Sequence, residues 1–346
     1  MISIILSTFE RPDALTFALD GIGRAAVGSQ EVIVADDGSG PETARAIEAF
    51  ARKAPFPVIH ERQEHRGFRL AAIRNRAIRA SRGEVLVFLD GDCIPGPAAL
   101  RLHAGRVRPG RAHTGARVFL QEEETGDLLA GGLSVAGAFR AALRRDRPAL
   151  RSLWLKNILY RSLRIKPRPK LVAANCAVHR TDLERVNGFD ERFEGWGFED
   201  DDLARRLRRG GVSIADGTRD CLALHLFHKV HESHRPDSRS TPNALYFRRN
   251  RYLQVCRRGL RVRPLEEIRI EWIGDPPGRG AWIGGASSGS AAPSGSAAPT
   301  QGPEVSLLIS GTSGRRRPRG ELVLEVPPAI LGGGQEPIRR FLEQAL

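Results

Sequence analysis

The fold is indicated most clearly by one stretch in the first third of the chain, Val85-Leu86-Val87-Phe88-Leu89-Asp90-Gly91-Asp92. An unbroken apolar run is followed at once by two carboxylates around a glycine. A short, continuous apolar run of this kind is typical of a strand that is buried on both faces. It indicates a sheet covered by helices on both sides, which is an α/β architecture.

The residues before this stretch repeat the same pattern. Apolar runs predict strands at residues 2–6, 31–35, 58–60 and 85–89. Helical patterns predict helices at residues 11–25, 41–53 and 70–80. This alternation predicts βαβ units and a mostly parallel central sheet flanked by helices. No G-x-G-x-x-G follows the first strand, so a classical dinucleotide fold is disfavoured.

The remainder of the chain is less regular. We predict further strands around residues 171–179 and 212–215. Residues 278–302 are rich in Gly, Ala, Ser and Pro, a composition that predicts a flexible linker. Beyond it, apolar runs predict strands at residues 305–309 and 322–326, followed by a short helix from Pro337. This small C-terminal appendage is too short to fold alone, so it either docks on the main domain or remains loosely ordered.

The charge of the chain is concentrated in one segment. The 346 residues carry a net charge of +14, and residues 138–170 alone hold eleven Lys and Arg against one acid, Asp146. An apolar stripe with Trp154 at helical spacing runs through this segment. Such a pattern predicts a helix lying in an anionic membrane interface, and a surface helix with a solvated basic face is the alternative.

Other features of composition narrow the class of protein. A hydrophobic fraction of 41% argues against a disordered chain. No apolar stretch approaches the ~18–20 residues that span a bilayer, so we do not expect an integral membrane protein. The four cysteines show no C-x-x-C spacing, which favours an intracellular location without disulfides or a zinc ribbon.

Polar turns follow three of the predicted strands, at residues 7–10, 36–39 and 90–92. In open α/β sheets, ligands bind outside the carboxyl ends of the strands, so these turns predict a binding site. The paired oxygen donors of Asp90 and Asp92 suit Mg²⁺ or Mn²⁺ bound to a diphosphate. Taken alone, a D-x-D sequence also occurs as an ordinary strand-to-loop turn.

The order of these turns resembles the family 2 glycosyltransferases of GT-A fold. Val32-Ile33-Val34-Ala35-Asp36-Asp37-Gly38-Ser39 precedes the D-x-D turn by about fifty residues, as in that family. Ile4-Ile5-Leu6-Ser7-Thr8-Phe9-Glu10-Arg11-Pro12 is similar to the family's first strand and nucleotide loop. Arg66-Gly67-Phe68-Arg69-Leu70-Ala71-Ala72-Ile73-Arg74-Asn75 is similar to its R-G-x-x-x-A-R-N helix.

The second half resembles a galactosyltransferase segment. Gly195-Trp196-Gly197-Phe198-Glu199-Asp200-Asp201-Asp202-Leu203 is similar to the G-W-G-x-E-D-x-[DE] sequence of β-1,4-galactosyltransferases, polypeptide N-acetylgalactosaminyltransferases and chondroitin polymerase modules. Helix capping explains some of these carboxylates, but it does not require the preceding Gly-Trp-Gly. Ala173, Ala174 and Phe198 depart from the family pattern, so we expect a differently shaped acceptor pocket.

The resemblance implies an inverting, metal-dependent transferase that moves a sugar from a UDP-sugar to a glycan or a lipid-linked saccharide. Such an enzyme would act in the assembly of cell-surface polysaccharide or lipopolysaccharide. The implied catalytic residues are Asp200 as the base and Glu199 as an orienting group. The implied nucleotide-sugar ligands are Thr8, Glu10, Asp37, Arg69 and Asp90. The implied acceptor contacts are Trp196 and Asn175.

The resemblance also implies a Mn²⁺ or Mg²⁺ cofactor. Its implied ligands are Asp92, Asp90 and His225, with His228 as the alternative histidine. Histidine recurs at every third position from His225 to His234, so a four-histidine zinc site is a further alternative.

These inferences divide the chain into functional regions. Residues 1–110 would bind the nucleotide sugar, 111–275 would form the acceptor and catalytic half, 276–302 would be the linker, and 303–346 the appendage. We expect a cytoplasmic protein, peripheral at the inner face of the cytoplasmic membrane. We expect no nucleic-acid partner, although the pI of about 10.7 keeps a basic nucleic-acid-binding protein as an alternative, beside a non-enzymatic sugar-binding protein.

Overall fold

The computed structural model describes residues 1–164, 169–229, 240–250, 253–268, 270–273, 305–309, 322–326, 330 and 335–345. Its first half contains, in chain order, β1 (Ile2–Thr8), α1 (Pro12–Arg24), β2 (Gln30–Asp36), α2 (Pro41–Ala51), β3 (Val58–Arg62), α3 (Leu70–Ala80), β4 (Val85–Asp90), β5 (Cys93–Pro95), α4 (Ala99–Arg106), β6 (Arg111–Thr114), β7 (Ala116–Phe119), α5 (Glu122–Leu129) and α6 (Val135–Ser162). The predicted strands and helices of the first ninety residues are all present.

The second half contains, in chain order, β8 (Asn175–His179), α7 (Arg180–Arg185), α8 (Glu199–Arg209), β9 (Ser213–Asp216), β10 (Leu222–His225), α9 (Pro242–Arg249), a 3₁₀ turn (Leu265–Glu267), β11 (Ile270–Ile273), β12 (Val305–Ile309), β13 (Leu322–Val326) and α10 (Gln335–Ala345). The strand predicted around residues 171–179 was too long, because it begins only at Asn175. The backbone N–H of Ala173 donates to the carboxylate of Asp200 (2.9 Å) rather than to a neighbouring strand.

The central sheet has seven strands in the order β3-β2-β1-β4-β8-β6-β9. β3, β2, β1 and β4 are parallel, and β6 is parallel to β9. β8 is antiparallel to both of its neighbours, β4 and β6. The prediction of an α/β fold with a mostly parallel sheet flanked by helices is confirmed.

Every residue of β1 and β2 is buried, because helices cover both faces of the sheet. Alternate side chains therefore enter two separate cores. Ile5 and Phe88 pack with residues of α3 and α8 on one face. Ile4 and Val87 pack with residues of α1 on the other face. Burial on both faces explains why these strands have continuous apolar runs instead of alternating ones.

A second sheet, in the order β5-β10-β7, lies beside the first. Helix α6 packs on β7 and contributes to an apolar core with α1 and α5. Its side-chain cap is Ser134, whose hydroxyl accepts a bond from the N–H of Gly137 (3.1 Å). The part of α6 after Pro148 leaves Leu155 and Leu159 about half exposed, and Leu163, the residue after the helix, is also exposed. Among the described residues, no helix is both long enough and apolar enough to cross a membrane.

The C-terminal strands form a third, parallel sheet in the order β11-β12-β13. Helix α10 docks on the main domain. Arg257 donates to the carbonyl of Glu343 (3.2 Å), and Arg192 donates to that of Gln344 (2.8 Å). The appendage was expected either to dock on the main domain or to remain loosely ordered, and this helix is docked. The predicted linker lies outside the described residues.

Candidate active site

The turns after β1 and β2 are joined by hydrogen bonds. The N–H of Asp37 donates to the carbonyl of Thr8 (3.0 Å), and the N–H of Glu10 donates to the hydroxyl of Ser39 (2.9 Å). A carboxylate oxygen of Glu10 accepts from the N–H of Gly40 (2.8 Å). Glu10 has a φ of 49°, an uncommon conformation for a non-glycine residue. Three of the predicted nucleotide ligands, Thr8, Glu10 and Asp37, thus take part in the hydrogen bonds that shape these turns.

Asp37 connects these turns to the start of α3. Its carboxylate accepts from the backbone N–H of Arg69 (2.9 Å) and from the amide of Gln63. The guanidinium of Arg69 donates to the carbonyl of Glu64. Beside them the rings of Phe9 and His65 stack with centroids 4.3 Å apart. The structure therefore brings together Thr8, Glu10, Asp37 and Arg69, which the sequence analysis assigned to nucleotide binding.

Arg74 lies at the centre of the next group of charges. Its guanidinium contacts Asp90 (3.0 Å), Asp200 (3.3 Å) and Glu199 (3.5 Å), while its Nε donates to the hydroxyl of Ser7 (3.2 Å). Arg74 is almost fully buried. Arg74 belongs to the R-G-x-x-x-A-R-N motif, but the resemblance implied no role for it. Its signal was a basic residue at a helical position otherwise occupied by apolar side chains.

The single positive charge of Arg74 does not neutralise the negative charges of all three carboxylates. Burial and the neighbouring Asp200 raise the pKa of Glu199 to about 8, against the lowering effect of Arg74. Burial also raises the pKa of Asp200, although Arg74 and the N–H of Ala173 oppose this. Burial disfavours the charged form of Arg74, but the three carboxylates outweigh that effect and raise its pKa. At neutral pH, Glu199 is therefore protonated more readily than an ordinary glutamate.

The backbone turns sharply just before α8, whose first residues are Glu199 and Asp200. Gly195 and Gly197 have φ values of 75° and 97°, and Phe198 has 74°, all in the left-handed region. Trp196 lies between the glycines and is 43% exposed, as a platform for a ligand would require. Asp202 pairs with the buried Arg206 (2.6 Å) and is structural. Capping and packing thus account for only some of the acidic residues in the first turn.

A candidate metal centre lies next to this group. One ligand atom each from Asp92, His225 and His228 lies within 4.8 Å of the other two. β10 pairs with β5 so that His225 is opposite Cys93, which places it beside Asp92. Asp90 is not in this group, because its carboxylate turns to Arg74. Both histidines that the sequence offered as alternatives are present together, and His231 and His234 lie outside the described residues.

The donor set fits one of the predicted ions better than the other. It contains one carboxylate and two imidazoles, whereas Mg²⁺ prefers oxygen ligands in an octahedral arrangement. Mn²⁺ accepts this mixed set more readily. Arg11 also approaches the group, with its guanidinium 2.7 Å from Asp92. The residues present therefore fit a Mn²⁺ ion bound by Asp92, His225 and His228.

Asn175, which the sequence analysis assigned to acceptor binding, is held by a buried polar chain. Its amide donates to the carbonyls of Ala116 (2.9 Å) and Cys221 (3.0 Å). Its oxygen lies 2.9 Å from Nε2 of His103, whose Nδ1 lies 2.9 Å from that of His113. The acceptor role of Asn175 stays a prediction, since its amide atoms are already occupied.

His103, His113 and Cys221 form a second group with the spacing of metal ligands. Arg106 donates to the Nε2 of His113 (3.2 Å). All four ring nitrogens therefore have protein partners, and a hydrogen-bond chain explains the group without a metal ion. Burial lowers the pKa of His103 to about 4 and, together with the nearby His103, that of His113 to about 3. Both rings are neutral at physiological pH.

Comparison with known families accounts for this arrangement. Residues 3–153 match the model described as Glycosyl transferase family 2, and residues 161–230 match the model described as the N-terminal domain of galactosyltransferase. The two regions contain the Arg74 cluster and the candidate metal centre. Residues 3–153 are thus similar to the family 2 glycosyltransferases, and residues 161–230 are similar to galactosyltransferases. The predicted resemblance to family 2 glycosyltransferases and to galactosyltransferases is confirmed over these two regions.

Several curated proteins are similar over the same region. The chain is 28% identical over 228 residues to validoxylamine A glucosyltransferase of Streptomyces hygroscopicus subsp. jinggangensis, covering 62% of this chain and 53% of that protein. It is 25% identical over 224 residues to chondroitin synthase of Escherichia coli, covering 61% of this chain and 32% of that protein. The chain spans about half the length, or less, of the curated relatives it matches.

Solved structures are more distant. The mannosyltransferase PcManGT of Pyrobaculum calidifontis, in complex with GDP-Man and Mn²⁺, has a TM-score of 0.45 and 20% identity, covering 72% of this chain and 60% of that one. S. aureus TarS 1–349 in complex with UDP has a TM-score of 0.47 and 13% identity, covering 72% of this chain and 63% of that one.

Proposed function

We propose that the protein is an inverting, metal-dependent glycosyltransferase that transfers a sugar from a UDP-sugar to a glycan or a lipid-linked saccharide acceptor. The observation that carries this proposal is the contact of one buried guanidinium, Arg74, with carboxylates from two distant segments, Asp90 and the Glu199–Asp200 pair. Asp90 ends the parallel strand β4, and Arg74 holds Glu199 and Asp200, the first residues of α8, next to this end of the sheet, where α/β proteins bind ligands.

Asp200 is the proposed general base. Its Oδ2 accepts from Ala173 and its Oδ1 contacts Arg74, so its position is fixed by two elements. It would take the proton of the acceptor hydroxyl as that oxygen attacks the anomeric carbon and the nucleotide diphosphate departs. Such a base typically contributes ~10²–10⁴-fold in rate. A single displacement opposite the leaving group inverts the configuration of the anomeric carbon. Glu199, protonated more readily, would donate a hydrogen bond that orients the acceptor.

The nucleotide diphosphate would lie between the first-strand turns and the metal centre. Asp92, His225 and His228 would hold Mn²⁺, which when bound neutralises negative charge that develops on the leaving diphosphate. The turn formed by Thr8, Glu10 and Asp37, closed by the backbone of Arg69, would hold the nucleoside. Two relatives whose names describe sugar transfer or glycan synthesis, the validoxylamine A glucosyltransferase and the chondroitin synthase, support this reading.

One assay tests the catalytic proposal. The protein is incubated with a panel of nucleotide sugars, Mn²⁺ and saccharide acceptors, and UDP release is measured. We expect release with at least one UDP-sugar, a loss of ~10²-fold or more for Asp200→Asn, and a loss for Asp92→Ala. Asp201→Asn is the matched control, since Asp201 pairs with Lys170 at the surface (3.1 Å) and should retain activity. Release that is absent throughout, or equal in Asp200→Asn and the wild type, would contradict the proposal.

We also propose that the protein sits at the inner face of the cytoplasmic membrane through helix α6 and the basic segment 138–170. The support is a net charge of +10 in this segment together with three exposed leucines at i, i+4 and i+8 spacing, Leu155, Leu159 and Leu163. A basic helix with an exposed apolar face is attracted to anionic lipid headgroups and inserts its leucines among them.

A further inference from the structure

A cavity of about 440 Å³ lies between strand β7 and helix α6. Much of its wall is apolar and includes Ala116, Phe119, Leu150, Leu153 and Val172. This volume lies within the range of about 300–1,000 Å³ typical of small-molecule sites, which are mostly apolar with a few polar groups. The cavity therefore has the size and lining of a site for a small apolar group.

The cavity borders the proposed base on one side. Val172 is part of its wall, and the next residue, Ala173, donates its N–H to the carboxylate of Asp200 (2.9 Å). It borders the candidate metal centre on the other side, where the ring of Phe119 lies 5.1 Å from that of His225. Asn175 also lines it. A group held in this cavity would thus be adjacent to the reacting hydroxyl.

One buried polar atom of the wall residue Asn157 has no hydrogen-bond partner among the residues that the structure describes. Its amide nitrogen faces a carboxylate oxygen of Asp216 (3.0 Å). Because a carboxylate only accepts hydrogen bonds, this contact fixes which way the amide is turned. Its Oδ1 then has no hydrogen-bond partner within the described part of the chain. A buried acceptor left unpaired is costly, so this atom favours a ligand that carries a hydroxyl or another donor.

We infer that the acceptor is a saccharide whose aglycone is apolar, and that this cavity binds the aglycone. The sugar ring, which carries the hydroxyl groups, is attached directly to it. This inference rests on the proposed function, because only a transferase has an acceptor. The apolar aglycone fills the cavity between β7 and α6, and the attached sugar ring lies towards Asp200. A short synthetic alkyl chain and the first carbons of a lipid share this chemistry.

The experiment compares two probes that differ only in the aglycone, methyl β-D-glucoside and n-hexyl β-D-glucoside below its micelle concentration. Affinity is measured by calorimetry with the wild-type protein, without metal or nucleotide sugar. We expect the hexyl compound to bind at least tenfold more tightly, because each buried methylene adds favourable transfer free energy. Since the sugar is constant, the ratio of affinities reports the aglycone alone.

A pair of variants on α6 locates the binding. Ala149 lines the cavity, and Ala149→Phe narrows it, so the hexyl advantage should fall to near unity. Ala141→Phe is the matched control, since Ala141 is an exposed alanine of the same helix that does not line the cavity. It should keep the advantage. Equal affinity of the two glucosides for the wild type, or loss of the advantage in both variants, overturns the inference.

The same measurement separates this inference from the proposed function. Asp200→Asn should keep the hexyl advantage while losing transfer, because the cavity lies beside the base and does not contain it. If no nucleotide sugar supports transfer but the advantage persists and responds to Ala149→Phe, the cavity is an apolar ligand site and the transferase proposal fails. If transfer occurs with no preference for an apolar aglycone, the transferase proposal stands and this inference fails.

Discussion

The Arg74 cluster and helix α6 are both rich in charge, yet the fold treats them in opposite ways. Around Arg74, one guanidinium lies within 3.5 Å of three carboxylates in a nearly buried site. On α6, basic side chains face solvent beside exposed leucines. Buried charges must be paired with nearby charges, and exposed ones interact mainly with solvent and ions. The first region is therefore suited to shifting proton affinities, and the second to attracting an anionic surface.

The largest effect on stability is expected when the buried positive charge of Arg74 is removed. Arg74→Met leaves Asp90, Glu199 and Asp200 without their shared cation, so the free energy of unfolding at pH 7 should fall by about 3–5 kcal/mol. Urea denaturation measures this loss. Arg76→Met, on the exposed side of the same helix, removes a surface contact with Glu61 (3.4 Å) and should cost about 1 kcal/mol or less.

The Arg74 comparison also has a pH control. Lowering the pH protonates the carboxylates, so the difference between Arg74→Met and the wild type should shrink in acid. A loss equal to that of Arg76→Met, or a loss independent of pH, would mean that the cluster does not depend on its central cation.

A smaller effect on stability is expected from His103 and His113, which are buried, hydrogen-bonded to each other and uncharged. Their pKa values of about 4 and about 3 lie below the ordinary value of 6.5, so the unfolded chain binds more protons than the folded one between these limits. The stability these residues contribute is therefore complete above about pH 6.5 and is lost as the pH falls. Each histidine should contribute up to about 1.4 kcal/mol per pH unit in this range.

Urea midpoints at several pH values between 7 and 5 test this expectation. Glu199, with its pKa raised to about 8, acts in the opposite direction in both proteins, so the test is the difference between them. Lowering the pH should destabilise His113→Gln less than the wild type per pH unit, since one group that takes up a proton on unfolding is gone. An unchanged slope in the variant would show that His113 does not take up a proton on unfolding.

The smallest effect per residue is expected on α6. Sedimentation with anionic vesicles should fall for Leu159→Ser, and it should also fall when salt is raised, because each basic residue near the surface contributes about 1 kcal/mol that salt screens. Leu129→Ser is the matched control, as Leu129 is exposed on α5 outside the basic segment. Binding that is equal in both variants, or equal on neutral vesicles, would leave α6 without a role as an anchor.

The local elements of the first half could be predicted because each depends on a few adjacent residues. The strands are apolar on both faces, and Asp36 ends one of them with Asp37 directly after it, so the place of these two residues at the sheet edge is a local property. The start of β8 at Asn175 could not be predicted, since it depends on the bond from Ala173 to Asp200, twenty-seven residues further along.

The same limit applies to the site. The sequence offered Asp90 and Asp92 as a metal-binding pair, but Asp90 turns to Arg74 while Asp92 faces two histidines. Which carboxylate meets which partner depends on the packing of α3 on the central sheet and on the pairing of β10 with β5. Sequence spacing alone could not show that His225 and His228 would lie together at Asp92.

The sequence by itself determined the α/β class of the fold and the resemblance to family 2 glycosyltransferases, because hydrophobic periodicity and short motifs involve neighbouring residues. Only the tertiary structure decided that Arg74 would join Asp90 to Glu199 and Asp200, and that a cavity would open beside them under α6. Those contacts join residues up to 126 positions apart, and Coulomb and packing energies depend on distance in space rather than along the chain.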